Sequence, residues 1–141
     1  MINEVGTSPD SDWNGDGEVN ERDRFVELCN FTGATIPLDG RYYVRFDGAP
    51  SVAFGGSIAN NSCFVAWYGL SGELFRPQIY GGTFDLVRDG QIIDQARTAQ
   101  MPLGKCLARF PDSSSTWVYQ RCSPGEKNSF WLLNPSPTPT P

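Results

Sequence analysis

Asp12-Trp13-Asn14-Gly15-Asp16-Gly17-Glu18-Val19-Asn20-Glu21-Arg22-Asp23, followed by Arg24-Phe25-Val26-Glu27-Leu28, is the stretch on which the reading of this chain turns. Side-chain oxygens fall at the first, third, fifth, ninth and twelfth places of the loop, from Asp12, Asn14, Asp16, Asn20 and Asp23. Gly17 stands at the sixth place, where a loop wrapping a cation turns sharply. Glu18, at the seventh, supplies a backbone carbonyl. A ligand set that is numerous, flexible and all oxygen points to Ca²⁺. The residues after the loop decide the fold. Positions 24–28 alternate polar and apolar, which is the period of a strand and not of a helix. The reading is therefore a calcium loop, residues 12–23, set between two strands of an all-β domain.

Length and composition agree. The chain has 141 residues, which suits one domain. Nine Phe, five Tyr and four Trp supply a core, while 15 Gly and 11 Pro interrupt the chain too often for long helices. The net charge is −5, and Lys and Arg form no cluster beyond isolated pairs. An acidic surface repels phosphate backbones, so nucleic acid is not an expected partner. No stretch reaches the roughly 18 apolar residues of a membrane span. The chain opens on Ile2-Asn3-Glu4-Val5, a strand candidate, with no basic-then-apolar segment before it. No signal peptide is expected within it.

The cysteines are Cys29, Cys63, Cys106 and Cys122, with no C-x-x-C pair and no His in the chain. That argues against zinc. Disulfides, and with them an extracellular or cell-surface setting, are the expectation. Three pairings are possible. Cys106–Cys122 is favoured, because Cys106–Phe110 and Val118–Cys122 flank the turn-rich Pro111-Asp112-Ser113-Ser114-Ser115, and a hairpin centred on Ser114 sets the two cysteines opposite each other. Cys29–Cys63 then joins two further strands. Each bridge contributes about 3–4 kcal/mol by restricting the unfolded chain.

The remaining strand candidates are Arg24–Asn30, Arg41–Phe46, Ser51–Phe54, Cys63–Tyr68, Thr83–Arg88, Gln91–Asp94, Cys106–Phe110 and Thr116–Cys122. Asp47-Gly48 is a turn signal, and Asp89-Gly90 is the strongest hairpin signal in the chain. Leu86, Val87, Ile92 and Ile93 around it are expected to be buried. Short strands with regular turns indicate a two-sheet β-sandwich. The domain is placed at 1–133. The tail 134–141 alternates Pro with Ser or Thr and reads as an extended spacer.

Several patches together resemble known families. The loop at 12–23 resembles the calcium loops of dockerin modules and EF-hands, with Asp23 at the last place as in dockerins, but the helix that both require is absent and there is one copy. Ile2–Val5, Asp23–Asn30 and Leu38-Asp39-Gly40-Arg41-Tyr42 look like the opening of a lamin-tail domain. Asp85–Asp94 looks like that family's central hairpin, and Gly104–Asp112 with Ser123–Asn128 like its close. The resemblance spans most of residues 2–128. It implies an immunoglobulin-like sandwich that serves as a non-catalytic accessory module of secreted or surface proteins. Arg41 stands where the family usually has Trp, and no coiled-coil rod precedes the domain.

An enzyme is not expected. Without His, the usual general base and the Ser-His and Cys-His pairs are missing. Glu27, Glu73, Asp85 and Asp94 are scattered along the chain and read as solvated strand or turn residues. The primary expectation is a structural or interaction module with a structural calcium site, joined to other protein modules or to copies of itself. The apolar patch Phe130-Trp131-Leu132-Leu133 is its candidate interface. The alternative is a calcium-dependent carbohydrate-binding module. There Trp13, inside the loop, is the best exposed platform, whereas Trp67 and Trp117 read as packed.

Overall fold

The computed structural model describes residues 1–110, 112 and 114–126. The patch at 130–133 and the tail at 134–141 lie outside the described residues. The strands are β1 (Ile2–Gly6), β2 (Phe25–Asn30), β3 (Ile36–Pro37), β4 (Tyr42–Phe46), β5 (Ala49–Pro50), β6 (Ser57–Ile58), β7 (Ser62–Trp67), β8 (Gly81–Arg88), β9 (Gln91–Ala99), β10 (Lys105–Arg109) and β11 (Trp117–Arg121). One 3₁₀ turn, Glu21–Asp23, is the helical element among the described residues.

The chain folds as an all-β sandwich. One sheet runs β11-β10-β1-β2-β7, the other β5-β4-β8-β9, and β3 pairs with β6 beside them. Adjacent strands are antiparallel throughout. Between the sheets lie Val5, Val26 and Leu28 from one and Val44, Phe46, Phe84 and Leu86 from the other, with Phe75 from the β7–β8 connection. Burying each of these side chains contributes about 1.5–3 kcal/mol. One end of the sandwich is joined by Arg109 on β10. Its Nε donates to the Ile2 carbonyl at 2.7 Å, and Nη2 pairs with Asp94 of β9 at 3.1 Å. Its guanidinium lies 4.4 Å from the Trp117 ring centroid.

Asp47-Gly48 and Asp89-Gly90 turn the β4–β5 and β8–β9 hairpins, with φ of 49° and 85°, and 51° and 79°. Both central residues are left-handed, as a two-residue hairpin turn requires. The second hairpin corrects one expectation. Ile92 and Ile93 are exposed, at 48% and 44%, because β9 is the edge of its sheet and a register shift at Leu86/Val87 breaks the alternation. The short strand expected at Ser51–Phe54 is instead β5 two residues earlier plus an isolated bridge from Phe54 to Tyr42.

The disulfides are Cys29–Cys63 and Cys106–Cys122. Cys29 and Cys63 are direct partners across β2 and β7. In the β10–β11 hairpin the residue opposite Cys106 is Gln120, not Cys122. The hairpin is centred one residue earlier than its sequence implies, and Cys122 reaches Cys106 from just beyond the strand.

In β2, Val26 and Leu28 face the core while Phe25, Glu27 and Cys29 face away from it, yet all are buried. The outer face of the five-stranded sheet is therefore covered. The loop between β1 and β2 lays Trp13 on Phe25, and the segment after β11 lays Ser123 and Gly125 over Glu4 and Glu27. Gly6 shows how close that cover is: a Cβ there would come within 2.5 Å of Cys106 Sγ and 2.6 Å of the Phe25 ring.

Candidate metal centre

The loop at 12–23 is closed by its own side chains. Asp12 accepts from the backbone N–H of Asp16 at 3.0 Å and of Gly17 at 2.7 Å. Asn14 Oδ1 accepts from Asp16 N–H, and Asp16 Oδ1 from Glu18 N–H. Asp23 spans the whole loop, one oxygen on Asn14 N–H and the other on Asn20 N–H, each at 3.0 Å. Asn20 caps the 3₁₀ turn through Arg22 N–H, and with Asp23 it forms a reciprocal capping box. Gly15 and Gly17 take φ of 76° and 92°, which the inward winding demands.

The winding gathers charge. Carboxylate oxygens of Asp12, Asp16 and Asp23 lie within 4.8 Å of one another. The ion pairs among the described residues are Arg41–Asp89, Arg45–Asp85 and Arg109–Asp94, and none reaches the loop. Three like charges at that spacing repel, and a cation is what such a set suits. Of the residues singled out in the sequence, Asp12, Asp16 and Asp23 are brought together. Asn14 lies alongside, its Nδ2 on Asp16 Oδ2 at 3.3 Å. The Asn20 oxygen is engaged in the cap, and its Nδ2 donates to Glu18.

The loop is fastened to the sandwich at both ends. Trp13 meets Phe25 edge-on, with centroids 5.7 Å apart, and Phe25 in turn packs on Trp67 at 5.4 Å. Arg24 donates to the carbonyls of Thr7 and Pro77. Trp13 is thus half-buried, not the free platform expected, because its ring continues the outer-face aromatic row. Trp67 belongs to that row, and Trp117 packs against the inter-sheet core.

A second acidic site has no signal in the sequence. Glu4 and Glu27 are direct partners across β1 and β2, and both are fully buried. Glu4 accepts from Ser123 N–H at 2.9 Å and from its hydroxyl. Glu27 accepts from Gly125 N–H at 2.6 Å and from Asn3 at 3.3 Å. Burial, aided by the neighbouring Glu27 charge, pushes the Glu4 carboxyl up to about 8 against the pull of Ser123 and Gln120. Burial likewise raises Glu27 to about 7, opposed by the Gly125 and Asn3 hydrogen bonds. Carboxylate crowding is relieved here by protons. Each Glu also adjoins a disulfide, Glu4 beside Cys106–Cys122 and Glu27 beside Cys29–Cys63. The bonded sulfurs offer no thiolate, so these groups are not metal sites. Asp85, expected to be solvated, is buried against Arg45 and Gln95, and Asp94 is bound to Arg109.

Two clefts flank the loop. One, of about 540 Å³, has Glu21 and Glu73 beside Arg22 and Arg76, so its charges balance. The other, of about 380 Å³, lies between the loop and the β10–β11 hairpin, with Trp13 in its wall. Neither buried glutamate lines either cleft. Among the described residues no helix is long and apolar enough to cross a membrane. No protein-family model, no curated protein and no solved structure matches this chain.

Proposed function

We propose that this chain is a non-catalytic structural or interaction module of an extracellular or cell-surface protein, with its β1–β2 loop closed by one Ca²⁺. The mutual approach of the Asp12, Asp16 and Asp23 carboxylates, with no ion pair to any of them among the described residues, carries the reading. Asp12, Asn14, Asp16 and Asp23 would hold the ion with their side chains, Glu18 with its carbonyl, and Asn20 through a water. The ion supplies charge neutralisation and a fixed loop. Through Trp13 and Arg24 that order passes to the outer face of the five-stranded sheet. Two disulfides in a small β domain fit an oxidising compartment. The two-sheet form supports the lamin-tail-like, immunoglobulin-like reading, whose members serve as accessory modules beside other domains. The partners are then neighbouring modules or further copies of the chain, with 130–133 as the contact and 134–141 as the spacer. No chemistry is assigned, since the close carboxylate pair of Glu4 and Glu27 is sealed beneath residues 123–125.

Thermal unfolding with calcium and with chelator tests the reading. Calcium at a hundred times its dissociation constant adds about 2.7 kcal/mol. Superimposable melts in the two buffers would remove the metal from the account.

A further inference from the structure

The segment after β11 is shaped to move as one piece. Ser123-Pro124-Gly125-Glu126 closes a turn, with Glu126 N–H on the Ser123 carbonyl at 2.9 Å. Pro124 stands second in it and Gly125, with φ of 82°, stands third, as in a type II turn. Cys122, just before the turn, is bonded to Cys106 and so tied to β10. Ser123 is buried, Pro124 half-buried, and Gly125 and Glu126 are exposed. Little apolar surface holds the turn down, and segments of that kind open locally at low cost.

Its attachment to the sheet runs through two carboxyl groups. Ser123 donates its N–H to Glu4 Oε2 at 2.9 Å and its hydroxyl to Oε1 at 3.2 Å. Gly125 donates its N–H to Glu27. Glu4 and Glu27 are direct partners across β1 and β2, and like charges so placed repel. Beside Glu4 stand Gln120 and the Cys106–Cys122 bridge. Beside Glu27 stand Asn3, the Cys29–Cys63 bridge and Asp112, whose charge adds to the repulsion. Among the described residues no ion pair reaches either glutamate. The latch is therefore sound while the glutamates are neutral and weak once both are charged.

We propose that residues 123–126 are a strap with two positions, latched on Glu4 and Glu27 in mild acid and lifted about Cys122 above neutrality, with the sandwich intact beneath it. Lifting lets water reach both carboxyls, and the disulfide stops the movement before it reaches β11. Burial raises the latched carboxyls from an ordinary 4.5 to about 8 and about 7. Lifting thus releases protons. For each proton released, the lifted share grows about tenfold per pH unit until the latched value is passed. The metal loop takes no part, so the strap stands or falls apart from the calcium reading.

The test is amide hydrogen exchange of the whole chain, disulfides intact, followed by NMR from mild acid to about pH 8 at constant calcium. The readout is the protection factor, corrected for the intrinsic rate at each pH. Ser123 and Gly125 are expected to be less protected than the amides of β2 and β8 at every pH. Their protection is expected to fall at least about tenfold from pH 6 to pH 8 while near-UV circular dichroism stays constant. The Glu4→Gln/Glu27→Gln double variant is expected to lose that dependence on pH. Should the double variant fail to fold, Ser123→Ala takes its place. It lacks one hydrogen bond to Glu4, so protection at Gly125 is expected to drop about fivefold in mild acid. Strap amides that exchange in step with β2 and β8, or that keep level protection over this range, overturn the proposal. So does near-UV dichroism lost in parallel, a pH dependence that survives in the folded double variant, or a Ser123→Ala chain with unchanged protection at Gly125.

Discussion

The molecule crowds carboxylates in two places and relieves them differently. In the loop, Asp12 and Asp16 are exposed or half-exposed, and Asp23 beneath them is buried. Backbone N–H groups donate to all three. At the outer face of the five-stranded sheet, Glu4 and Glu27 are fully buried under the segment after β11, and burial favours the neutral form. On the proposed reading the same functional group takes a metal ion in one place and a proton in the other. The difference lies in burial: the loop leaves Asp12 and Asp16 open to solvent, whereas the segment after β11 seals Glu4 and Glu27.

The sharpest way to break the loop half of this comparison is Asp23→Ala. It frees the half-buried N–H groups of Asn14 and Asn20 and removes a capping box, at a cost of about 1 kcal/mol, as for a lost cap. The calcium increment is lost as well, so thermal melts of the variant are expected to be low and indifferent to chelator. Trp13→Ala comes next. Truncating a half-buried indole that packs on Phe25 is expected to cost about 2 kcal/mol, below the ~3–5 of a fully buried one. Because the ligands remain, that variant keeps its calcium response, which a chelator melt checks.

The glutamate half predicts a pH dependence with a definite sign. Glu4 and Glu27 have folded values of about 8 and about 7, above their ordinary value of 4.5. The folded chain then holds protons that the unfolded chain releases. Their contribution is complete below 4.5 and is lost as pH rises through 7 and then 8. Denaturant titrations at constant calcium should show stability falling over that range. Glu4→Gln removes a titrating group, so it should flatten the decline above neutrality. Glu27→Gln should do the same to a smaller extent, since its value is less raised. A decline that is undiminished in both variants would place the titrating groups elsewhere.

Much of the fold could be read from local chemistry. Asp47-Gly48 and Asp89-Gly90 dictate left-handed turns, and the alternation in Phe25–Asn30 sets which side chains face the core. The loop's ligand spacing is likewise local, which is why Asp12, Asp16 and Asp23 could be named from the sequence and are found together. What escaped depends on distant segments. Period-two alternation marks Glu27 as facing away from the core, but its burial comes from Gly125, 98 residues along the chain. Trp13 stands in a polar loop and would pass for exposed, yet Phe25 receives it. Ile92 and Ile93 look like core until the edge position of β9 is known. The Cys106–Cys122 hairpin is off by one residue because turn-rich residues constrain a register only loosely. Cys29 and Cys63 sit in strands whose direct pairing fixes theirs.

Calcium titration by isothermal calorimetry, in a magnesium-containing buffer, bears most directly on the central claim. One ion per chain is expected, with heat that disappears in Asp23→Ala and persists in Glu4→Gln. A flat titration of the folded parent chain would contradict the account, for the three gathered aspartates would then tolerate one another without the ion.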